Sequence, residues 1–175
     1  MMKWILGPYS MLGLGLALVT LVLDQISKIW VVRSFWPANG CDPFDYTGLF
    51  NCRVEVLPFM DFTMVWNRGI SYGLFADYGS VGRILLIVFS LLAVIGFLIW
   101  LARAESRLLA LSIGLIIGGA LGNVIDRVLY GAVADFVSLH GFGYYWYVFN
   151  LADAAIVAGA AGLLYEVMLR PTKSP

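Results

Sequence analysis

One long apolar stretch indicates that this chain is built for a lipid environment. Residues 108–125 read LLALSIGLIIGGALGNVI, without a single charged side chain. About 20 largely apolar residues in α-helical form cross the hydrocarbon core of a bilayer. The strongest polar interruption is Asn123, close to the end of the stretch. This segment therefore predicts a transmembrane helix.

Three further stretches meet the same criterion. They are Trp4 to Leu23, Ile84 to Ala102 and Tyr144 to Tyr165, and the last holds one charge, Asp153. Of the 175 residues, 61% are hydrophobic and 13% charged, against about 45 to 50% and about 25% in soluble domains. We predict an all-α membrane protein with four transmembrane helices, organised as a single domain over residues 1–175.

The connection between the first two spans is long enough to fold outside the bilayer. Turn signals in residues 34–80 separate two β-prone runs, Arg53 to Leu57 and Phe62 to Trp66. We predict a small β-cradle lying on the membrane surface, built by this insert. The alternative is a disordered loop.

The cysteines and the histidine give no sign of a metal centre. Cys41 and Cys52 fit neither a zinc spacing nor a C-x-x-C motif. They could form a disulfide bond outside the cytoplasm or remain packed thiols. His140 is the only histidine, so a Ser-His-Asp site is hard to build, and we expect it in a loop. We predict no metal and no cofactor.

The basic residues favour one orientation in the membrane. Four spans put both termini on the same side, together with the short link after the second span. The basic residues concentrated on that side are Lys3, Arg103, Arg107, Arg170 and Lys173. Positive charge in short segments favours the cytoplasm, so we predict that both termini are cytoplasmic. The net charge of zero gives no basic patch for nucleic acid.

Polar side chains gather at the other ends of the four spans, on the side predicted to be periplasmic. They are Asp24, Lys28, Asn67, Asn123, Asp126, Arg127, Asn150 and Asp153. Ionisable groups at membrane depth cost about 2.5 to 3.5 kcal/mol each on insertion scales. Such a cluster therefore indicates a functional site.

Several of these residues also have simpler explanations. Asp24 and Lys28 stand four residues apart at the end of the first span, which suits an ion pair on a helix. Asp126 could pair locally with Arg127, or Arg127 could contact substrate or lipid phosphate. Asn150 precedes the carboxylate of the last span by three residues, so either residue could cap that helix.

Glycines recur every fourth residue along the third span, at Gly114, Gly118 and Gly122. Small residues at this spacing let membrane helices approach closely. We expect packing to be their main role, with Asn123 carried towards a neighbouring helix.

Carboxylates remain as the candidate acid and base. Asp135 lies in the apolar run Gly131 to Phe136, and Asp153 lies just inside the last span. Two carboxylates that meet in a partly dry site do not both ionise easily, so one holds a proton while the other polarises water. That pairing is the chemistry of peptide hydrolysis by aspartates.

Five sequence blocks, in order, resemble the bacterial lipoprotein signal peptidases, or signal peptidase II. The blocks are DQISK at 24–28, NRGIS at 67–71, GGALGNVIDR at 118–127, VADF at 133–136 and FNLAD at 149–153. Ala134 and Tyr72 depart from the commoner valine and phenylalanine.

The resemblance implies a catalytic dyad of Asp135 and Asp153 in a membrane aspartic endopeptidase. It implies substrate-binding or site-supporting roles for Asn67, Gly69, Asn123, Arg127 and Asn150, and a structural polar network of Asp24, Lys28 and Asp126. The implied substrate is a prolipoprotein bearing diacylglycerol on the cysteine after its signal peptide, cut on the amino side of that cysteine. The implied location is the bacterial inner membrane, and we expect the protein to be a monomer in contact with membrane lipid.

Two other functions are compatible with parts of the pattern. A proton- or ion-coupled carrier would place polar residues throughout the membrane depth, but the middle of every predicted span is nearly free of them. A non-catalytic assembly protein would leave the two aspartates and three asparagines at one level unexplained.

Overall fold

Four long helices form the framework of the protein. The computed structural model describes residues 7–44, 53–69 and 79–169. Helix α1 spans Ser10–Trp30 and continues through a π-helical turn, Val31–Phe35, into the short helix α2, Trp36–Ala38. Helices α3, α4 and α5 span Gly79–Leu101, Arg107–Tyr130 and Leu151–Leu169. By length and composition, the described residues contain four helices able to cross a membrane, which confirms the predicted spans.

All four spans have bounds that differ from those predicted, and the second, α3, begins at Gly79 and not at Ile84. The first predicted span began at Trp4, whose neighbourhood lies outside the described residues, and α1 runs on past Lys28 instead of ending there. The third reaches Tyr130, where Gly131 ends the helix in a left-handed conformation with φ of 78°. Asp126 and Arg127 are thus inside α4, where partners from other elements bind them.

The fourth predicted span began too early. Residues 144–149 form strand β4 (Tyr144–Phe149), and α5 starts only at Leu151. An aromatic run is apolar enough for either structure, so composition alone does not separate a strand from a helix. Here antiparallel pairing with strand β3 (Val133–Gly141) satisfies the backbone.

A four-stranded antiparallel sheet lies at one end of the bundle. The predicted runs form strand β1 (Arg53–Leu57) and strand β2 (Met60–Asn67), and the strand order is β1-β2-β3-β4. The predicted cradle is therefore confirmed, but half of its strands come from the connection between α4 and α5. His140 lies in β3, not in a loop, because its backbone pairs with Tyr145 of β4.

Helix α4 is the central element of the bundle and contacts α1, α3 and α5. Its glycines make the approach to α1 close: a Cβ on Gly118 would stand 2.5 Å from the carbonyl oxygen of Ala17. Gly114 lies in the same way against the Gly13 carbonyl of α1. The predicted packing role of the glycines is confirmed.

An apolar cluster attaches the sheet to the end of the first span. Val31 and Trp36 are fully buried and pack with Phe136 of β3. The ring of Phe62 on β2 lies 5.6 Å from that of Phe136. Strands β2 and β3 are thereby held over the ends of the helices. Close to this cluster, Cys41 is disulfide-bonded, and Cys52, the other cysteine of the chain, lies outside the described residues.

Candidate active site

Asp135 projects from β3 into a buried pocket of amide groups. Its side chain is 2% exposed. Asn67 Nδ2 donates to Asp135 Oδ2 at 3.1 Å, and Asn150 Nδ2 donates to Asp135 Oδ1 at 2.6 Å. The β2–β3 register places Asn67 opposite Val133, two residues along the strand from the carboxylate it binds. Both carboxylate oxygens therefore face neutral donors.

Asp153 lies in the first turn of α5. Asn123 Nδ2 of α4 donates to Asp153 Oδ1 at 2.7 Å. The backbone N–H of Asp153 donates to Asn150 Oδ1 at 2.9 Å, the contact expected of a helix N-cap. Asn150 thus caps α5 and binds Asp135 with the same side chain, so the two roles considered for it are compatible.

Two amides connect the two aspartates. Asn150 Nδ2 also donates to Asn123 Oδ1 at 3.2 Å, which completes a chain from Asp135 through both asparagines to Asp153. Lys28 Nζ donates to the same Asn123 oxygen at 3.1 Å. Since lysine is only a donor, this contact orients the Asn123 amide with its nitrogen towards Asp153.

A buried ion triad binds the backbone next to each of the two aspartates. Lys28 Nζ lies 2.9 Å from Asp24 Oδ2 and 2.8 Å from Asp126 Oδ2. Asp24 Oδ1 accepts from the backbone N–H of Ala152 at 3.0 Å, and Asp126 Oδ2 accepts from that of Ala134 at 3.1 Å. Each of these alanines directly precedes one of the two aspartates.

The ion pair of Asp24 and Lys28 is therefore present as predicted, but it is buried and extends to a third residue. The predicted alternative of local pairing between Asp126 and Arg127 is wrong for Asp126, which binds Lys28.

Arg127 holds the turn that follows β2. Its Nη2 donates to the carbonyl of Gly69 at 3.0 Å, and Nη1 donates to the carbonyl of Asn123 at 3.3 Å. Gly69 N–H in turn donates to Asn67 Oδ1 at 3.1 Å. Arg127 is 8% exposed, so its guanidinium does not face outward. It fixes the Asn67 amide whose other end binds Asp135.

The environment of Asp135 favours its protonated form. Burial, and secondly the negative charge of Asp153, raise the pKa of Asp135 from 3.8 to about 7. Hydrogen bonds from Asn67 and Asn150 act in the opposite direction and offset only part of this. Near neutral pH the pair can thus hold one proton while one carboxylate stays ionised, which is the condition for acid and base to act together.

The contacts of two polar residues, Gln25 and Asp61, were not predicted from the sequence. Gln25 Nε2 donates to Asp126 Oδ1 at 3.1 Å and joins the triad from α1. Asp61 is fully buried in β2, forms an ion pair with Arg53, and lies 3.1 Å from His140 Nε2. An acid directly before the β-prone run Phe62 to Trp66 is the one signal that could have identified Asp61.

These contacts define a membrane protein with paired aspartates at one end of a four-helix bundle. The family model for signal peptidase (SPase) II matches residues 16–169. The lipoprotein signal peptidase of Methylorubrum extorquens is 50% identical over 163 residues, which cover 93% of this chain and 89% of that protein.

A second lipoprotein signal peptidase, from Rhodopseudomonas palustris, is 46% identical and covers 90% of this chain and 92% of its own length. A solved structure of a bacterial membrane enzyme shares the fold, with a TM-score of 0.72 at 24% identity over 94% of each chain. The chain therefore belongs to the signal peptidase II family, and it is a membrane aspartic endopeptidase of bacterial type. The resemblance found in the sequence is confirmed.

Proposed function

We propose that this protein removes signal peptides from diacylglyceryl-modified prolipoproteins, cutting on the amino side of the modified cysteine with Asp135 and Asp153. The observation that carries the proposal is the amide-bridged pair of carboxylates, one on β3 and the other in the first turn of α5. Membership in the family, and relatives named lipoprotein signal peptidases, support the substrate class.

The two aspartates divide the proton work. Asp135, whose pKa is raised to about 7, holds the proton and donates it towards the carbonyl oxygen of the scissile bond. Asp153 acts as the carboxylate base and takes a proton from the attacking water. The water oxygen forms the new bond to the carbonyl carbon in the same step. When the C–N bond breaks, Asp153 gives the proton it took from water to the leaving amine. Asp135 takes a proton back from the tetrahedral intermediate as the carbonyl re-forms, so the pair again shares one proton.

The remaining residues of the site hold this geometry. Asn67 and Asn150 fix the carboxyl plane of Asp135, and Asn123 fixes Asp153. Arg127 secures the turn at Gly69. Small displacements of reacting groups are costly in rate, so we assign these residues to positioning and substrate support.

The apolar helix surface suits a substrate that arrives through the bilayer. Large hydrophobic side chains are exposed along α3 and α5, among them Phe89, Leu92, Val157 and Leu164. Two acyl chains and an apolar signal helix would reach the site laterally, while the scissile bond stays at the surface where water is available. The site then faces the periplasm, both termini lie in the cytoplasm, and the protein acts as a monomer.

Mass analysis of cleavage products tests the proposal. Purified protein is incubated with a diacylglyceryl-modified prolipoprotein and with the same precursor lacking the lipid. We expect release of a signal peptide that ends directly before the modified cysteine, and much slower cleavage of the unmodified precursor. Cleavage at another bond would refute the assigned specificity, and equal rates for the two precursors would refute the lipid requirement.

A further inference from the structure

A cavity of about 300 Å³ lies beside the site, between the start of α3 and the end of α4. Arg68 lines it, and its two neighbours in sequence belong to the site: Asn67 binds Asp135, and the Gly69 carbonyl binds Arg127. The volume is at the lower end of that of pockets for small ligands. The proposed mechanism does not use this cavity.

The cavity concentrates positive charge. Arg68 and Arg83 both line it, and none of the described residues around it is acidic. The first turn of α3, which contributes Ser80 to the lining, contains no acidic residue. Helix N-termini carry unpaired N–H groups and a partial positive charge. An anion would therefore be favoured here.

Arg83 is the fifth residue of α3, directly after the first turn of that helix, and its side chain also lines the cavity. Within the described part of the chain, no carboxylate forms an ion pair with Arg83. Its Nη1 lies 3.2 Å from the point that a Cβ of Gly131 would occupy. The guanidinium thus lies against the turn after α4, at the edge of the cavity.

We propose that this cavity binds the phosphate of an anionic phospholipid headgroup. Arginine matches phosphate oxygens with paired N–H donors, and the Ser80 hydroxyl and the amides of the first turn of α3 can complete the shell. The cavity lies where two membrane-spanning helices end, which is the level of the headgroups. Inorganic phosphate has the same chemistry, but the location favours the lipid.

Lipid retention measured by native mass spectrometry tests this site. Wild-type protein and Arg83→Gln are reconstituted in nanodiscs of zwitterionic lipid with increasing phosphatidylglycerol. We expect Arg83→Gln to retain phosphatidylglycerol about tenfold more weakly, as for loss of one charged hydrogen-bonding group. The matched control is Arg103→Gln, an exposed arginine just past the other end of α3, which should bind as the wild type does.

Equal retention by Arg83→Gln and wild type, or an equal loss in Arg103→Gln, would overturn the site. If Arg83→Gln does not fold, Arg68→Gln is measured in its place with the same expectation. A second arm titrates inorganic phosphate into detergent-solubilised protein. Arg83-dependent binding of phosphate without any lipid preference would overturn the lipid assignment. Because the readout is lipid binding, its outcome is independent of whether the protein cleaves prolipoproteins.

Discussion

At the scale of single residues, the two aspartates are made unequal by their surroundings. Asp135 is buried and held by two neutral amides, whereas Asp153 is half-buried at the start of a helix. A negative charge near a helix N-terminus is stabilised by the helix dipole. The unequal settings explain why we assign the shared proton to Asp135.

This assignment predicts how activity depends on pH. Since the pKa of Asp135 is raised to about 7, the carboxyl is protonated below that pH and loses its proton above it. We expect kcat/KM to fall above pH 7, approaching about tenfold per pH unit. The measurement is a kcat/KM profile from pH 5 to 9, with thermal unfolding at each pH as the control. A kcat/KM that rises steadily from pH 7 to 9 would mean that Asp135 is the base.

Some of these residues could be predicted from the sequence and others could not. Asn123 and Asn150 are conspicuous because an amide inside an apolar span needs a partner. The contact that gives Asp24 its importance, with the N–H of Ala152, joins residues 128 apart and leaves no local signal. Asp61 and His140 are likewise brought together by the pairing of β2 with β3.

At the scale of secondary-structure elements, the closeness of α1 and α4 sets the geometry of the site. Gly122 of α4 lies against the Asp24 carboxylate. Because glycine has no side chain, the ion triad fits between α1 and α4. On the other side of α4, Gly119 leaves room for the Ala152 carbonyl of α5. Helix α4 therefore packs closely against both α1 and α5 because its contact surfaces carry glycine.

Replacing a glycine at this contact is expected to destabilise the fold. In Gly118→Ala the new Cβ would stand 2.5 Å from the Ala17 oxygen, and overpacking costs about 1 to 3 kcal/mol. Gly96→Ala on α3 is the matched control, because nothing lies within 4 Å of its added Cβ. Thermal unfolding in detergent should show a lower Tm for Gly118→Ala alone. Equal Tm values for the two variants would contradict the close approach.

The four spans could be predicted because length and apolarity are local properties. The origin of the sheet could not, since β3 pairs with β2, which precedes it by two helices, and β4 in turn pairs with β3. The aromatic run of β4 has the composition of a helix start at a membrane surface. Only its pairing with β3 and the cap at Asn150 separate it from α5.

At the scale of the whole molecule, the fold places the sheet and the site at one end of the bundle. With an even number of spans, the termini then lie on the opposite side of the membrane. The basic residues near the termini and in the link after α3 favour the cytoplasm for that side. We therefore propose that the site faces the periplasm.

Cysteine labelling tests this topology. A membrane-impermeant maleimide applied from the periplasmic side should label Glu55→Cys, an exposed position on β1. It should reach Ser174→Cys, near the C-terminus of the sequence, only after the membrane is opened. The parent protein without an engineered cysteine serves as background. Labelling of position 174 in intact cells would invert the orientation.

The central claim is that Asp135 and Asp153 act as one catalytic unit in the whole folded protein, and turnover by their variants tests it most directly. Asp135→Asn, Asp153→Asn and the double variant are purified, shown to be folded by thermal unfolding, and assayed with a diacylglyceryl-modified prolipoprotein. We expect each single variant to be nearly inactive, because asparagine can neither accept the proton of water nor supply one to the leaving group. The double variant should be little worse than either, since the two groups act together. A folded single variant with activity within about tenfold of the parent, or about 1.4 kcal/mol of barrier, would contradict the claim.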